Sequence, residues 1–225
     1  LGRRGFSTAA KIPSDEGRPC PVAHESLAQD CPAPVDRHVS SAGAEVLCAP
    51  EHLADAAADA LGWDGRVLAP TVLLGRRVVV VAELIEDVHE QRMRSGWRPV
   101  TDRVSVSLWD WPEMRHLTPP SAVRLRGILA PARHWRTALA GTAPFAGLCA
   151  TAVLLPAHIA RAADCLAHAA HHGPTVLAAA GPDDIDPEAV DVVQPGRAGP
   201  TAPAPSTAVT RWVHEIVYER LLRHP

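Results

Sequence analysis

Glu83 follows a run of four valines, Val78–Val81, and Asp64 lies upstream of it, across a segment rich in strand-forming residues. Two carboxylates brought together in space can hold a divalent ion that activates water. If the chain is an enzyme, Asp64 and Glu83 are its candidate catalytic pair. A second group is an arginine block. No acidic residue occurs between Glu113 and Asp164, whereas Arg115, Arg124, Arg126, Arg133, Arg136 and Arg161 all do. Arg124 and Arg126 stand two apart on an expected strand and so share a face. Arg133 and Arg136 stand three apart on an expected helix and are neighbours there. These four arginines are the candidate anion-binding residues. Guanidinium forks near Trp109, Trp111 and Trp135 suit phosphate groups or single-stranded nucleic acid. The overall pI of about 6.5 weighs against a dedicated nucleic-acid binder, which usually carries a net basic domain. The competing reading is a solvated face whose arginines pair with the acidic Asp183–Asp191 segment.

Histidine and cysteine offer two further sets. Asp164, His168 and then His171 or His172 follow one another at spacings of four and of three to four on an expected helix. Such spacing can hold a transition metal on one helical face, but it equally describes a solvent-facing surface. Cys20, His24, Cys31 and His38 have the donor types of a zinc site. Their spacings of four, seven and seven match no finger pattern, however. No metal is assigned, and no cofactor is identifiable. Cys48, Cys149 and Cys165 read as small core residues. The odd total of five cysteines, with no CxxC pair, argues against a disulfide framework. GxGxxG, GxxxxGK[ST] and GxSxG are all absent, which removes the commonest dinucleotide, nucleotide and hydrolase readings.

The stretch from Pro70 through Thr71 to Glu83, Leu84 and Ile85 sits between an expected helix and a following helix and strand. This order resembles the core of the restriction-endonuclease-like nucleases over about residues 51–110. In that superfamily a PD…(D/E)xK motif lies on a hairpin. The resemblance implies a metal held by the Asp and the acidic residue, and a Lys that steadies the attacking water or the phosphate. Pro70, Glu83 and the apolar frame match. Thr71 stands at the Asp position and Ile85 at the Lys position, so the motif is degenerate; Asp64 or Glu86 would have to substitute. The resemblance therefore implies a diverged site, one that binds more readily than it cleaves.

The elements that must position these residues are legible from periodicity. Residues 1–43 are rich in Pro, Ser, Gly and charge and are expected to form an irregular arm. An α/β domain is expected over 44–198, a Pro/Ala linker over 199–205, and a C-terminal helix over 206–225. Within the domain a strand is expected at Ala44–Ala49. A helix at Glu51–Leu61 carries its apolar residues on one face. Strands at Arg66–Leu74 and Arg76–Leu84 form a hairpin turning at Gly75-Arg76. The four valines mark a strand buried on both faces. A helix follows at Glu86–Trp97, then an alternating strand at Arg103–Trp111 with Val104, Val106 and Leu108 on one side. Ala122–Leu129 reads as a strand, Arg133–Ala140 as a helix, Cys149–Leu155 as a strand, His158–His171 as a helix and Thr175–Ala180 as a strand. Asp183–Arg197 is expected to be irregular. Ser206 would cap a last helix, Thr207–Leu222, with Val209, Val213, Ile216, Val217 and Leu221 along one stripe. One hairpin combined with strand–helix–strand units makes a mixed sheet flanked by helices.

Hydrophobic residues make up 47% of the chain and the formal net charge is -3, which is enough apolar material for a core and far from the disordered regime. Thr137–Ala160 is uncharged over 24 residues, but Gly141, Pro144, Gly147 and Pro156 mark it as loop plus buried strand, so no membrane span is expected. No basic-then-apolar leader opens the sequence, and the expected location is the cytoplasm. The functional expectation is a non-catalytic α/β module. Its partner would be nucleic acid or another phosphate-bearing ligand, or a protein docked through the C-terminal helix with Trp212 and Tyr218 as anchors. The alternatives are a metal-dependent nuclease or phosphodiesterase, and a structural or assembly subunit that uses the C-terminal helix.

Overall fold

Helix α1 (Glu51–Ala60) begins the part of the chain that the computed structural model describes, which is residues 51–180, 189–200 and 207–223. The expected arm over 1–43, the strand at 44–49, residues 201–205 of the linker, the Ser206 cap and the Cys20, His24, Cys31 and His38 set lie outside the described residues. Strands β1 (Arg66–Val67), β2 (Thr71–Leu73) and β3 (Arg76–Leu84) come next, then helices α2 (Glu86–Arg94) and α3 (Arg103–Leu108). They are followed by β4 (Val123–Pro131), α4 (Trp135–Thr142), β5 (Ala150–Pro156), α5 (Ala157–Ala160), α6 (Ala163–His172), β6 (Thr175–Ala179), β7 (Val190–Gln194) and α7 (Ala208–Arg223). The strands form one mixed, open sheet of seven in the order β1-β3-β4-β5-β6-β7, with β2 also paired to β3. The β3–β4 and β6–β7 pairs are antiparallel, and β4–β5 and β5–β6 are parallel. The two parallel links need helical crossovers, which α4 and then α5 and α6 supply.

Both faces of the sheet are covered, as expected for strands as continuously apolar as Val78–Val81, all of which are buried. On one face α7 lays Val213, Val217, Tyr218 and Leu221 over Val78, Val80, Ile128 and Ala130. Each such side chain is worth about 1.5–3 kcal/mol relative to exposure. Further along the same face, α4 and α6 cover Val153, Leu155, Val176 and Ala178. On the other face α1 packs Ala54 and Ala57 against Val79, Leu129, Ala152, Leu154 and Leu177. The alanines let the helix approach closely, and Trp63, just beyond it, fills the space above Gly127.

The hairpin differs from expectation in two ways. Its turn is Leu74-Gly75, one residue earlier, because Leu73 pairs with Arg76 and both turn residues have positive φ, 49° and 72°. That is the type I′ geometry of a two-residue connection. The expected strand at 66–74 is also split into β1 and β2 around Pro70, which has no N–H to continue the ladder.

Three other elements depart from the sequence reading. The alternating stretch at 103–111 is not a strand but helix α3. Asp102 caps it, accepting the Ser105 N–H at 2.8 Å and the Ser105 hydroxyl at 2.7 Å. Val106 and Trp109 are the buried pair, at helical spacing, while Val104 is 70% exposed. The local alternation does not decide the element: the Asp102 cap and the burial of Val106 and Trp109 at helical spacing do. The helix expected at 158–171 is broken at Ala162, whose extended backbone starts α6, while Arg161 reaches Asp191 on β7 at 3.0 Å. The segment expected to be irregular at 183–197 contains β7, because the edge of β6 offers it a ladder of backbone partners. No described helix is long and apolar enough to cross a membrane; residues 137–160 comprise most of α4, a short turn of 3-10 helix, buried β5 and α5.

Candidate functional site

Arg124 and Arg126 reach one place because of a bulge. On the α7 face, β4 contributes Val123 and Leu125, then Ile128 and Ala130, so the parity of the strand changes between Leu125 and Ile128. The register slips at the same point: Val81 pairs with Gly127, but Ala82 pairs with Leu125. An extra residue in one strand has this effect. It turns Arg124 and Arg126 to the α1 face, where Glu83 stands directly opposite Arg124. Without the bulge, Arg126 would continue the parity of Ile128 and Ala130 and be driven into the apolar core beneath α7.

The result is a cluster of two guanidinium groups on one carboxylate. Arg126 Nη2 lies 2.5 Å and Arg124 Nη1 3.4 Å from the same oxygen, Glu83 Oε2. Arg126 Nε is buried and has no hydrogen-bond partner. The pair Arg124–Glu83 is half exposed, so its contribution to stability is only about 0–1 kcal/mol. Glu83 also lines an open cleft of about 600 Å³ at the edge of the sheet, together with Gly65, Arg66, Glu86, His89 and Leu221. Below the cleft, His89 Nδ1 and the Tyr218 hydroxyl lie 2.8 Å apart, which orients the imidazole.

The other expected site residues are placed elsewhere. Arg133 and Arg136 follow the opposite end of β4, separated from Arg126 by roughly 20 Å of extended chain. Arg136 lies over the Trp135 ring, 5.0 Å from its centroid. The four arginines therefore do not make one site. Nor do the tryptophans make one platform: Trp109 is buried, Trp111 is exposed, and Trp135 meets the His168 ring at a tilt of 43°. Among the arginines, Arg161 pairs with the acidic segment, through Asp191.

Asp64 is exposed and approaches β3 through Gly65, whose neighbour Arg66 pairs with Ala82. Gly65 is required there, since a Cβ on it would sit 2.8 Å from the Ala82 carbonyl oxygen. Thr71 is buried and paired with Val78, five residues from Glu83 along β3, or roughly 17 Å. Even an Asp at position 71 would thus not share an ion with Glu83. Ile85 opens α2 and bonds through its N–H to the Ala122 carbonyl. Among the described residues, no three His, Cys, Asp or Glu side chains gather as metal ligands, and this includes Asp164, His168, His171 and His172. His168 instead donates its Nδ1–H to the Asp164 carbonyl at 2.8 Å.

A polar network in the core was not foreseen. Arg92, 1% exposed, forks onto Glu215 with Nη1–Oε1 at 2.7 Å and Nη2–Oε2 at 2.9 Å. It also donates to the Pro120 and Arg98 carbonyls, and Glu215 accepts the Val100 N–H at 2.9 Å. The guanidinium lies 4.6 Å from the centroid of the Tyr218 ring. The one signal in the sequence is that Arg92 stands four residues from Val88, on the apolar side of α2. Trp212 is used within the chain as well, donating Nε1–H to the Thr101 carbonyl at 2.9 Å. Both anchors that α7 could have offered a partner are engaged in its own fold. Cys149 and Cys165 are buried free thiols, and burial pushes Cys149 up to about 12.

No family model matches this chain, and no curated protein or solved structure is significantly similar to it.

Proposed function

We propose that this chain is a non-catalytic α/β binding module whose ligand is a small phosphate-bearing molecule held at the Arg124–Arg126 corner. The observation that carries the reading is the sharing of one carboxylate by two arginines. Two positive charges against one negative leave a local surplus, on side chains whose forked donors suit phosphate oxygens. The adjoining cleft, with Leu84 and Leu221 among its walls, has room for the less polar body of such a ligand.

The test is calorimetric titration of inorganic phosphate, a mononucleotide and a short single-stranded oligonucleotide into the full chain at low salt. Arg124→Ala combined with Arg126→Ala is expected to lower affinity by tenfold or more, on the order of 1.5–3 kcal/mol for charged hydrogen bonds. Arg133→Ala combined with Arg136→Ala, at the other end of β4, is expected to leave it unchanged. Absence of binding by the unaltered chain, or equal losses in the two double variants, would sink the proposal.

A further inference from the structure

Helix α3 has two apolar sides, and only one of them is used. Val106 and Trp109 face inward, while Val104, Leu108 and Trp111, at helical spacings of four and three, are 70%, 37% and 60% exposed. Backbone bonds then step three residues at a time, from the Trp111 N–H to Leu108, from Met114 to Trp111 and from Leu117 to Met114, and so continue the row to Leu117, which is also exposed. Val209 joins it from the start of α7, where the neighbouring Ala208 N–H bonds Asp110 Oδ2 at 3.0 Å. These five residues expose roughly 450 Å² of mostly apolar surface, the size of the largest patch on a typical monomer, which is often functional.

We infer that this row is the contact surface for a second copy of the chain, with two α3 helices packed antiparallel about a two-fold axis. Area and charge both support that occupant. Two copies of the row bring together about 900 Å² of apolar surface, and an interface core is about two-thirds apolar. The whole contact would then reach about 1,400 Å², within the range of specific protein–protein interfaces. Charges of opposite sign flank the α3 part of the row. Arg103, 5.7 Å from the Trp212 ring centroid, opens α3, and the adjacent Asp102 carboxylate is occupied in capping it; Glu113 stands beyond its far end, while Asp110 is occupied by the Ala208 N–H. An isologous antiparallel pairing sets each Arg103 near the Glu113 position of the other copy, whereas a parallel one sets like charges side by side.

Sedimentation equilibrium of the full chain from about 1 to about 100 μM tests the inference. A monomer–dimer equilibrium is expected, and Val104→Glu, at the most exposed position, is expected to weaken it at least tenfold without changing the circular dichroism spectrum. Arg103→Glu and Glu113→Arg are each expected to weaken dimerisation, and the two together to restore it. A chain that stays monomeric throughout, or a dimer indifferent to Val104→Glu, overturns the proposal. So does a monomer that instead binds phosphatidylcholine–phosphatidylglycerol vesicles in a Val104-dependent way. Failure of the two charge variants to compensate overturns the antiparallel geometry.

Discussion

Replacing Arg92 by Met should be among the most damaging single substitutions outside the apolar core. The change removes the guanidinium and keeps most of the aliphatic volume. Glu215, 4% exposed, is left with one neutral donor, the Val100 N–H, in place of three. The Pro120 and Arg98 carbonyls each lose a donor, and the Tyr218 ring loses its cation. Removing one partner of a buried ion pair costs about 3–5 kcal/mol, several times the value of a surface pair. Against a total stability of about 5–15 kcal/mol, that is a large fraction. In urea, with a slope of about 2 kcal/mol per molar, the midpoint should fall by roughly 1.5–2.5 M at unchanged slope. The double variant Arg92→Met with Glu215→Leu is the sharper measurement. It removes the stranded charge, so it should be more stable than Arg92→Met alone. If Arg92→Met costs less than about 1 kcal/mol, or if the double variant is the less stable, then the pair behaves as a solvated surface bridge and the reasoning fails.

Three further outcomes follow from the packing and the titrating groups. Gly127→Ala should destabilise by about 1–3 kcal/mol, because an added Cβ would collide with the Trp63 ring above the sheet; thermal unfolding measures it, and Trp63→Ala in the same chain should relieve the clash. Tyr218 is the sole tyrosine, and burial raises its phenol, with Arg92 opposing and Glu215 adding to the shift. Phenolate absorbance should therefore appear only above the ordinary tyrosine range near pH 10; the neutral form stabilises the fold below that value, and the stabilisation is lost as pH rises through the folded pKa. Burial holds the His214 imidazole below its ordinary value, which Glu215 and a Thr210 backbone bond only partly oppose. The unfolded chain then binds the extra proton first, so stability should decline as pH drops below about 6.5, and His214→Gln should flatten that decline in denaturant titrations.

The sequence by itself determined most of the framework. Runs such as Val78–Val81 and Ala150–Leu155 are too apolar to be anything but buried, and their strand-forming residues are bounded by turns. The stripe Val213, Val217, Leu221 made α7 readable for the same reason, and it named the face that docks. Where a segment's pattern was short, tertiary structure decided. Arg103–Leu108 alternates as a strand would, yet the Asp102 cap with buried Val106 and Trp109 made it helical. Val190–Gln194 is weakly patterned, and it became a strand because β6 presented an unpaired ladder.

At the candidate site, residue spacing showed that Arg124 and Arg126 share a face, since alternation is a local property of strands. It could not show which face, because one extra residue in β4 inverts the parity, and a bulge is settled by pairing with β3. Nor could it show that Glu83 is their partner, that Arg133 and Arg136 lie at the other end of the strand, or that Arg92 meets Glu215 at a sequence separation of 123. Those relations depend on which distant segments the fold brings together, and hydrophobic periodicity carries no information about that choice.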